Sequence, residues 1–446
     1  MDQDRTIFDV GINEKLRPAR LFLLGMQNVF GMTGMFVFPG ILGRSFHLPP
    51  ETIAYIYGMT FIACGLTTVF QSIVLLRLPI VQGPYAGSFV ALLAVGHSQI
   101  GGLGAAYGSF FVAALILTAL SIPLRGWSVM GVLSRYFSVP MISGMFVLLI
   151  MVQIAGVAFP NWIGLPNSPG FPFINFFSGG IAVVVIMAIM LLNRSWLRYS
   201  AILSGLLVGT LCYTLFRPIS FASIATAPIF VTPKLFPFGF EVNPSLVLVF
   251  LMVLIPAAFG SMALYRTVAD WGQEVLTSER MSEGAFACAL GAVVASILGS
   301  FSTIVYPDNI GMLRATRVGS RYATLAAGVL LVVFGGCIKF DMLLVLVPIP
   351  VISAVATLLY GIVFMHGIQI LANSRWNDRR LLVAGLSFFV GLGGLFISPA
   401  VLQALPLFLR LIVEQPVVCG GVTLIVLYSL LCGDQKQTVE LQTSSS

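Results

Sequence analysis

Charged side chains are scarce in this chain. Asp, Glu, Lys and Arg together make up 9% of its 446 residues, where an ordinary soluble domain carries about 25%. Histidine is scarcer still: His47, His97 and His366 stand far apart, where helix-end or packing roles are expected. The six cysteines (Cys64, Cys212, Cys288, Cys337, Cys419 and Cys432) form no CxxC pair and lie near no His at metal-ligand spacing. Zinc and haem classes are set aside, and buried free thiols are expected. No nucleotide loop and no nucleophile–base constellation is present, so neither a catalytic residue nor a cofactor or metal is expected. The first twenty residues mix Asp2, Asp4, Arg5, Asp9, Glu14, Lys15, Arg17 and Arg20. A cleavable signal needs a basic start followed at once by an apolar core, so none is expected.

What the chain has instead is apolar length. Hydrophobic residues make up 58% of it, in recurring stretches of about twenty residues, each enough to cross roughly 30 Å of hydrocarbon. About fourteen such segments can be counted. Seven begin near Leu21, Ile53, Gly83, Leu103, Val139, Ile174 and Ala201, and seven near Leu246, Gly284, Asn309, Ala323, Pro350, Leu381 and Val417. The expected fold is an all-α, multi-pass membrane protein. The net charge of +7 follows topology rather than nucleic acid. Arg5, Lys15, Arg17, Arg20, Arg77, Arg125, Arg135, Arg194, Arg198, Arg280, Arg317, Arg321, Arg375, Arg379 and Arg380 fall on one side. Arg44, Arg217, Lys234, Lys339 and Arg410 fall on the other. The positive-inside rule then places both termini in the cytoplasm of a cell (inner or plasma) membrane.

The halves repeat. "VQGPYAGSF" around Pro84 matches "IVYPDNIGM" around Pro307, and "VPMISGMFVLL" at Pro140 matches "IPVISAVATLL" at Pro350. Seven spans is an odd number, so the second half must be inverted. The expected organisation is a cytoplasmic segment 1–20, a first repeat 21–216, an external loop 217–244, a second repeat 245–433 and a cytoplasmic tail 434–446. Matched Pro/Gly interruptions in inverted repeats point to a binding site near mid-membrane. There Val81–Gln82 and Ile304–Tyr306 should be extended, each leading into a half-helix whose free amides attract acceptor oxygens. Asp308, in the apolar setting of "IVYPDNIGMLRATRVG", is a site candidate against the plainer reading of an interfacial loop acid.

These residues resemble the nucleobase–cation symporters that include uracil and xanthine permeases. The resemblance rests on "LLGMQNVFGMTG", "CGLTTVFQSIVLLRLPIVQGPYAGSFVALLAV", "YPDNIGMLRATRV" and "VPIPVISAVATLLYGIVFMHGIQIL" and covers nearly the whole chain. It implies a core domain of spans 1–4 and 8–11 against a gate domain of spans 5–7 and 12–14, with short strands in spans 3 and 10 holding the base. Gly87, Ser88 and Phe89 would then present a backbone amide or a ring face. Asp308 would bond ring N–H groups, Asn309 would tie the strands together, and Tyr306 and Tyr360 would stand near the site. The resemblance further implies proton (or other cation) coupling, an elevator-type movement and a homodimer in the bilayer.

Departures from the family pattern fall on its coupling residues. Gln27-Asn28 stands where the family has Gln-His, and Leu264 or a neighbour occupies the place of the eighth-span Glu in "IPAAFGSMALYRTVADWG". Gln27 and Asn28 can bind substrate or simply join helices. Arg266 reads either as a snorkelling residue paired with Asp270 or as a charge balancing Asp308. Two functions follow: nucleobase transport, or an anion carrier or uncoupled facilitator on the same inverted-repeat fold.

Overall fold

The computed structural model describes residues 7–432 apart from 31, 33, 97–100, 123–129, 131–138, 165, 167–169, 193–200, 219–223, 226, 373, 406–408, 411–412 and 414–415. A few further side chains, those of Pro307, Asp308, Gly311 and His366 among them, also lie outside the description. The readings of His97 and of the tail 434–446 therefore fall outside the described residues.

Helices dominate, as the apolar segments require. Among the described residues, eight stretches are long and apolar enough to cross a membrane. They are α1 with α2 (Pro18–Phe30 and Gly34–Ser45), α3 (Pro50–Ile73), α5 (Gly102–Ser121), α7 (Phe173–Leu191), α9 (Pro244–Gly272), α10 (Ser278–Leu298), α14 (Ile349–Ala372) and α15 (Asp378–Gly393). Shorter apolar helices are α4 (Ala86–Gly96), the start of α6 (Pro140–Ile163), α8 (Ala201–Phe216), α12 (Arg321–Gly336) and α17 (Pro416–Cys432). Three small helices are also present among the described residues: α11 (Pro307–Thr316), α13 (Ile338–Val345) and α16 (Pro399–Ala404). Helix starts carry the expected signals. Asn243, Thr277 and Asn377 each accept a first-turn amide of α9, α10 and α15 through the side chain. Phe173, Leu191, Phe389 and Leu430 are 70–85% exposed in α7, α15 and α17, at 83, 80, 71 and 72%. Such surfaces suit lipid rather than water.

The chain divides into two compact units. One comprises Met1–Ser134 and Gly156–Leu359; the other Arg135–Ala155 and Tyr360–Ser446. Glycines hold the first together. A Cβ on Gly58 of α3 would lie 2.6 Å from the Gly335 carbonyl oxygen, and one on Gly65 2.6 Å from that of Gly328. The α3 and α12 backbones therefore touch along two helical turns. In the second unit Leu149 of α6 fills the space beside Gly391 and Gly420, where α15 meets α17. Helices α7 and α8 group with the first unit. The reason is packing: Gly179 and Gly209 bring these helices against Ala354 and Val351, in the first half of α14.

Residues 7–14 run as a strap that ends in a turn, where the Glu14 amide donates to Gly11 O at 3.1 Å. Phe8, Val10 and Ile12 alternate inward and are buried. The Ile7 amide donates to Trp271 O at 3.0 Å and Asp9 to Arg317 O at 2.8 Å, while Val10 and Ile12 accept from Gly319 and Arg321 at 2.9 and 3.0 Å. The strap thus joins the end of α9 to the loop between α11 and α12.

Candidate functional site at the strand crossing

In both broken segments a proline forces the residue before it into extended backbone, and a helix starts shortly after. Tyr306, before Pro307, has φ −86° and ψ 117°. Pro307 then takes the first helical position of α11, where its missing N–H is not needed. β1 (Gln82–Pro84) and β2 (Thr303–Val305) pair antiparallel, with Gly83 opposite Ile304. The ladder is continued by Tyr306 N–H to Val81 O at 3.1 Å and by Tyr85 N–H to Ser302 O at 2.7 Å. Only glycine fits at position 83, since a Cβ there would run into the Tyr306 ring. The strands lead into the N-termini of α4 and α11, so first-turn amides stand at both ends of the crossing.

The polar groups around the crossing come from distant parts of the chain. Asn309 accepts the Val81 amide through Oδ1 at 3.0 Å and donates through Nδ2 to Asn28 Oδ1 at 2.7 Å. Asn28 in turn donates to Leu24 O at 2.8 Å. Ser88 Oγ donates to Tyr85 O at 2.7 Å and accepts the Ser302 amide at 3.1 Å. Ser261 Oγ of α9 accepts the Val305 amide at 3.3 Å, and Thr68 Oγ1 of α3 that of Gln82 at 2.9 Å. The Gln82 side chain donates to Gln71 Oε1 and to Cys288 Sγ, and Tyr265 hydroxyl meets the same sulfur at 3.1 Å. Strand edges within an apolar unit are thus satisfied by helices α3, α9 and α10, as membrane depth demands.

The sequence-derived residues divide into three groups. Gly87, Ser88, Phe89, Tyr306, Asn309 and Asn28 meet at the crossing. Gln27 shares with Asn28, Thr316, Ser320 and Thr324 a small cavity beside it. The Phe89 ring is fully buried, stacked 4.8 Å from Phe38 and edge-on to Phe301 at 5.9 Å. Asp308 has its backbone in the first turn of α11, and its side chain lies outside the described ones. Leu264 is half-buried on α9 and Arg266 is exposed two residues on. Neither Arg266 nor Asp270 takes part in the ion pairs among the described residues, Arg280–Glu274 and Arg317–Asp9. Tyr360 is buried and belongs to the second unit.

Sequence reasoning passed over Tyr85, Gln71, Gln82, Ser261 and Cys288. Tyr85 is buried against Gly87, and its hydroxyl has no hydrogen-bond partner among the described residues. The two glutamines did carry a signal: an amide inside an apolar span needs a partner. The crossing can therefore offer a planar polar molecule amide donors, strand carbonyls and one phenol.

Comparison with known proteins bears on what that molecule belongs to. The Xan_ur_permease model, described as the permease family, matches residues 19–399. The chain is 26% identical to the nucleobase transporter PlUacP of Paenibacillus larvae over 96% of this chain and 99% of that one. It is 26% identical to the uric acid permease PucJ of Bacillus subtilis, over 96% of both chains. With the uric acid transporter UacT of Escherichia coli it shares 27% identity over 90% and 85% of the two chains. Among solved structures, murine Slc26a9, an anion transporter, superposes with a TM-score of 0.59 at 12% identity, covering 94% of this chain and 69% of that one. The transmembrane domain of the cyanobacterial bicarbonate transporter BicA gives 0.52 at 13%, covering 94% and 100%. Those two likenesses are of fold, the inverted-repeat transporter fold. The chain belongs to the permease family of nucleobase:cation symporters and is a multi-pass membrane transporter, not an enzyme.

Proposed function

We propose that the protein carries a nucleobase across the cytoplasmic membrane, either uracil or a purine such as xanthine or uric acid. The observation that carries this reading is a match to a nucleobase transporter along 96% of the chain, on a fold whose strand crossing is flanked by two helix N-termini. A base sheds its water on binding, so each ring donor and acceptor needs a partner. Asp308, at the start of α11, accepts ring N–H groups, and the α4 amides at Gly87 and Ser88 donate to ring oxygens. Asn309 holds the two strands in register, and Tyr85 offers its hydroxyl. The chain has fourteen spans, both termini face the cytoplasm, and two copies associate. Transport is proton-driven, and the unit carrying the crossing moves as a body.

Uptake of labelled uracil, xanthine and uric acid in cells lacking their own permeases tests the substrate class. Transport of none of the three refutes it. Asp308→Asn tests the acceptor role, because an amide accepts on one side and donates on the other. A charge-assisted bond contributes about 1.5–3 kcal/mol, so base affinity should fall roughly ten- to a hundredfold. Wild-type binding by a well-expressed Asp308→Asn would make the acid structural.

A further inference from the structure

Among the described residues Asp341 is the one acid that is fully buried. It stands in α13, away from the strand crossing, and neither of its carboxyl oxygens has a hydrogen-bond partner among the described residues. A glycine makes room for it. A Cβ on Gly58 of α3 would sit 2.7 Å from Asp341 Oδ2 as well as 2.6 Å from Gly335 O. The carboxyl therefore fills the space a side chain of α3 would take, at one end of the α3–α12 seam.

A cap closes over this end. Phe230 bridges to Cys337, Val231 N–H donates to Gly336 O and Ile338 N–H to Ile229 O, both at 3.0 Å. Ile224, Ala227 and Val231 pack on Ala54, Ile338 and Met342. Among the described residues no cation answers the carboxyl. The Arg44 guanidinium of α2 is held by the carbonyls of Val345 and Val347 at 2.7 and 2.8 Å. Tyr57 of α3 donates to Phe36 O at 2.9 Å. On its own side stand the Cys337 thiol and the half-buried Lys339, which makes no ion pair among the described residues. The cap segment 224–231 and the near end of α12, residues 329–336, carry no ionisable side chain. A buried carboxylate without donors or a cation is strongly disfavoured, and the neutral acid is the form such surroundings hold. Burial, with the Cys337 thiol as the smaller contribution, pushes the Asp341 carboxyl up to about 9.

We propose that Asp341 is a proton-binding site, which keeps its proton while the Ile229–Val231 cap is closed and yields it to water when the cap opens. Asp341 supplies a titratable group in the same compact unit as the strand crossing. Its part in driving uptake rests on the transport reading; its proton occupancy does not.

The test uses the full-length protein purified in detergent, with Asp341→Asn as a permanent mimic of the neutral acid. A folded-state pKa above the unfolded value means stability is lost as pH rises toward about 9. The wild-type unfolding midpoint should therefore fall from mildly acid to mildly alkaline pH. Asp341→Asn should lose that part of the slope and exceed the wild type at the alkaline end by on the order of several degrees. Infrared spectra should show a carboxylic-acid band at neutral pH that the variant lacks. Parallel pH profiles, a variant less stable at every pH, or a band unchanged by the substitution would each overturn the proposal. In proteoliposomes base uptake by Asp341→Asn should lose its dependence on outside pH. If the wild type moves no base, the transport reading fails while the stability and infrared results still decide the proton site.

Discussion

Asn309 uses both ends of its amide, one on the Val81 backbone and the other on Asn28. Asn309→Ala would leave the buried Val81 N–H without an acceptor, a loss of about 1–3 kcal/mol. A lower unfolding midpoint of the purified protein is the expected result, and Asn309→Asp, which keeps the acceptor, should recover part of it. Tyr85→Phe is expected to act in the opposite way. It removes a hydroxyl that has no partner among the described residues, so the unfolding midpoint should hold or rise. If the phenol serves the base, affinity measured by calorimetry should drop about two- to tenfold, the range of one neutral hydrogen bond. Asn309 was legible in the sequence because its motif is local. Tyr85 was not, because a tyrosine beside a proline in an apolar run has several ordinary uses, and only the geometry shows its hydroxyl unpaired.

At the scale of elements, proline and glycine made the broken segments readable. Pro84 and Pro307 mark the joints, and each strand and half-helix begins within a residue or two of the place their positions predict. The polar support behind the strands was not readable, since Gln82 and Cys288 meet across 206 residues of sequence. The α3–α12 seam offers a test of packing. Gly65→Ala would put a methyl 2.6 Å from the Gly328 carbonyl oxygen, which backbone cannot yield without the helices parting. Overpacking of this kind costs about 1–3 kcal/mol. Gly385→Ala in α15 meets nothing within 4 Å and should instead gain about 0.4–1 kcal/mol through a less flexible unfolded chain. Thermal unfolding of the two variants should move in opposite directions. A shared direction would mean that the seam is looser than its glycines indicate.

At the scale of the molecule, the inverted repeat was legible from two matched pairs of motifs, and the membrane class from composition. The two-unit division was not, because it depends on how α7 and α8 pack on the first half of α14. Asp341 was also missed, as "IKFDMLLV" reads like the charged edge of an external loop until Gly58 is placed beside it. The pairing of β1 with β2 has a further consequence, for the order of assembly. Gln82 leaves the ribosome more than two hundred residues before Val305, its partner in the ladder. At about 5–20 residues per second, the first strand waits roughly 10–45 s for its mate. Throughout that interval the Gln82 amide lies in a half-built bundle with Thr68 Oγ1 of the first repeat as its local acceptor. The strap of residues 7–14 waits longer still, for the loop after α11. Neither contact can form on a nascent chain that stops at the first repeat, so both report that the second repeat has been inserted.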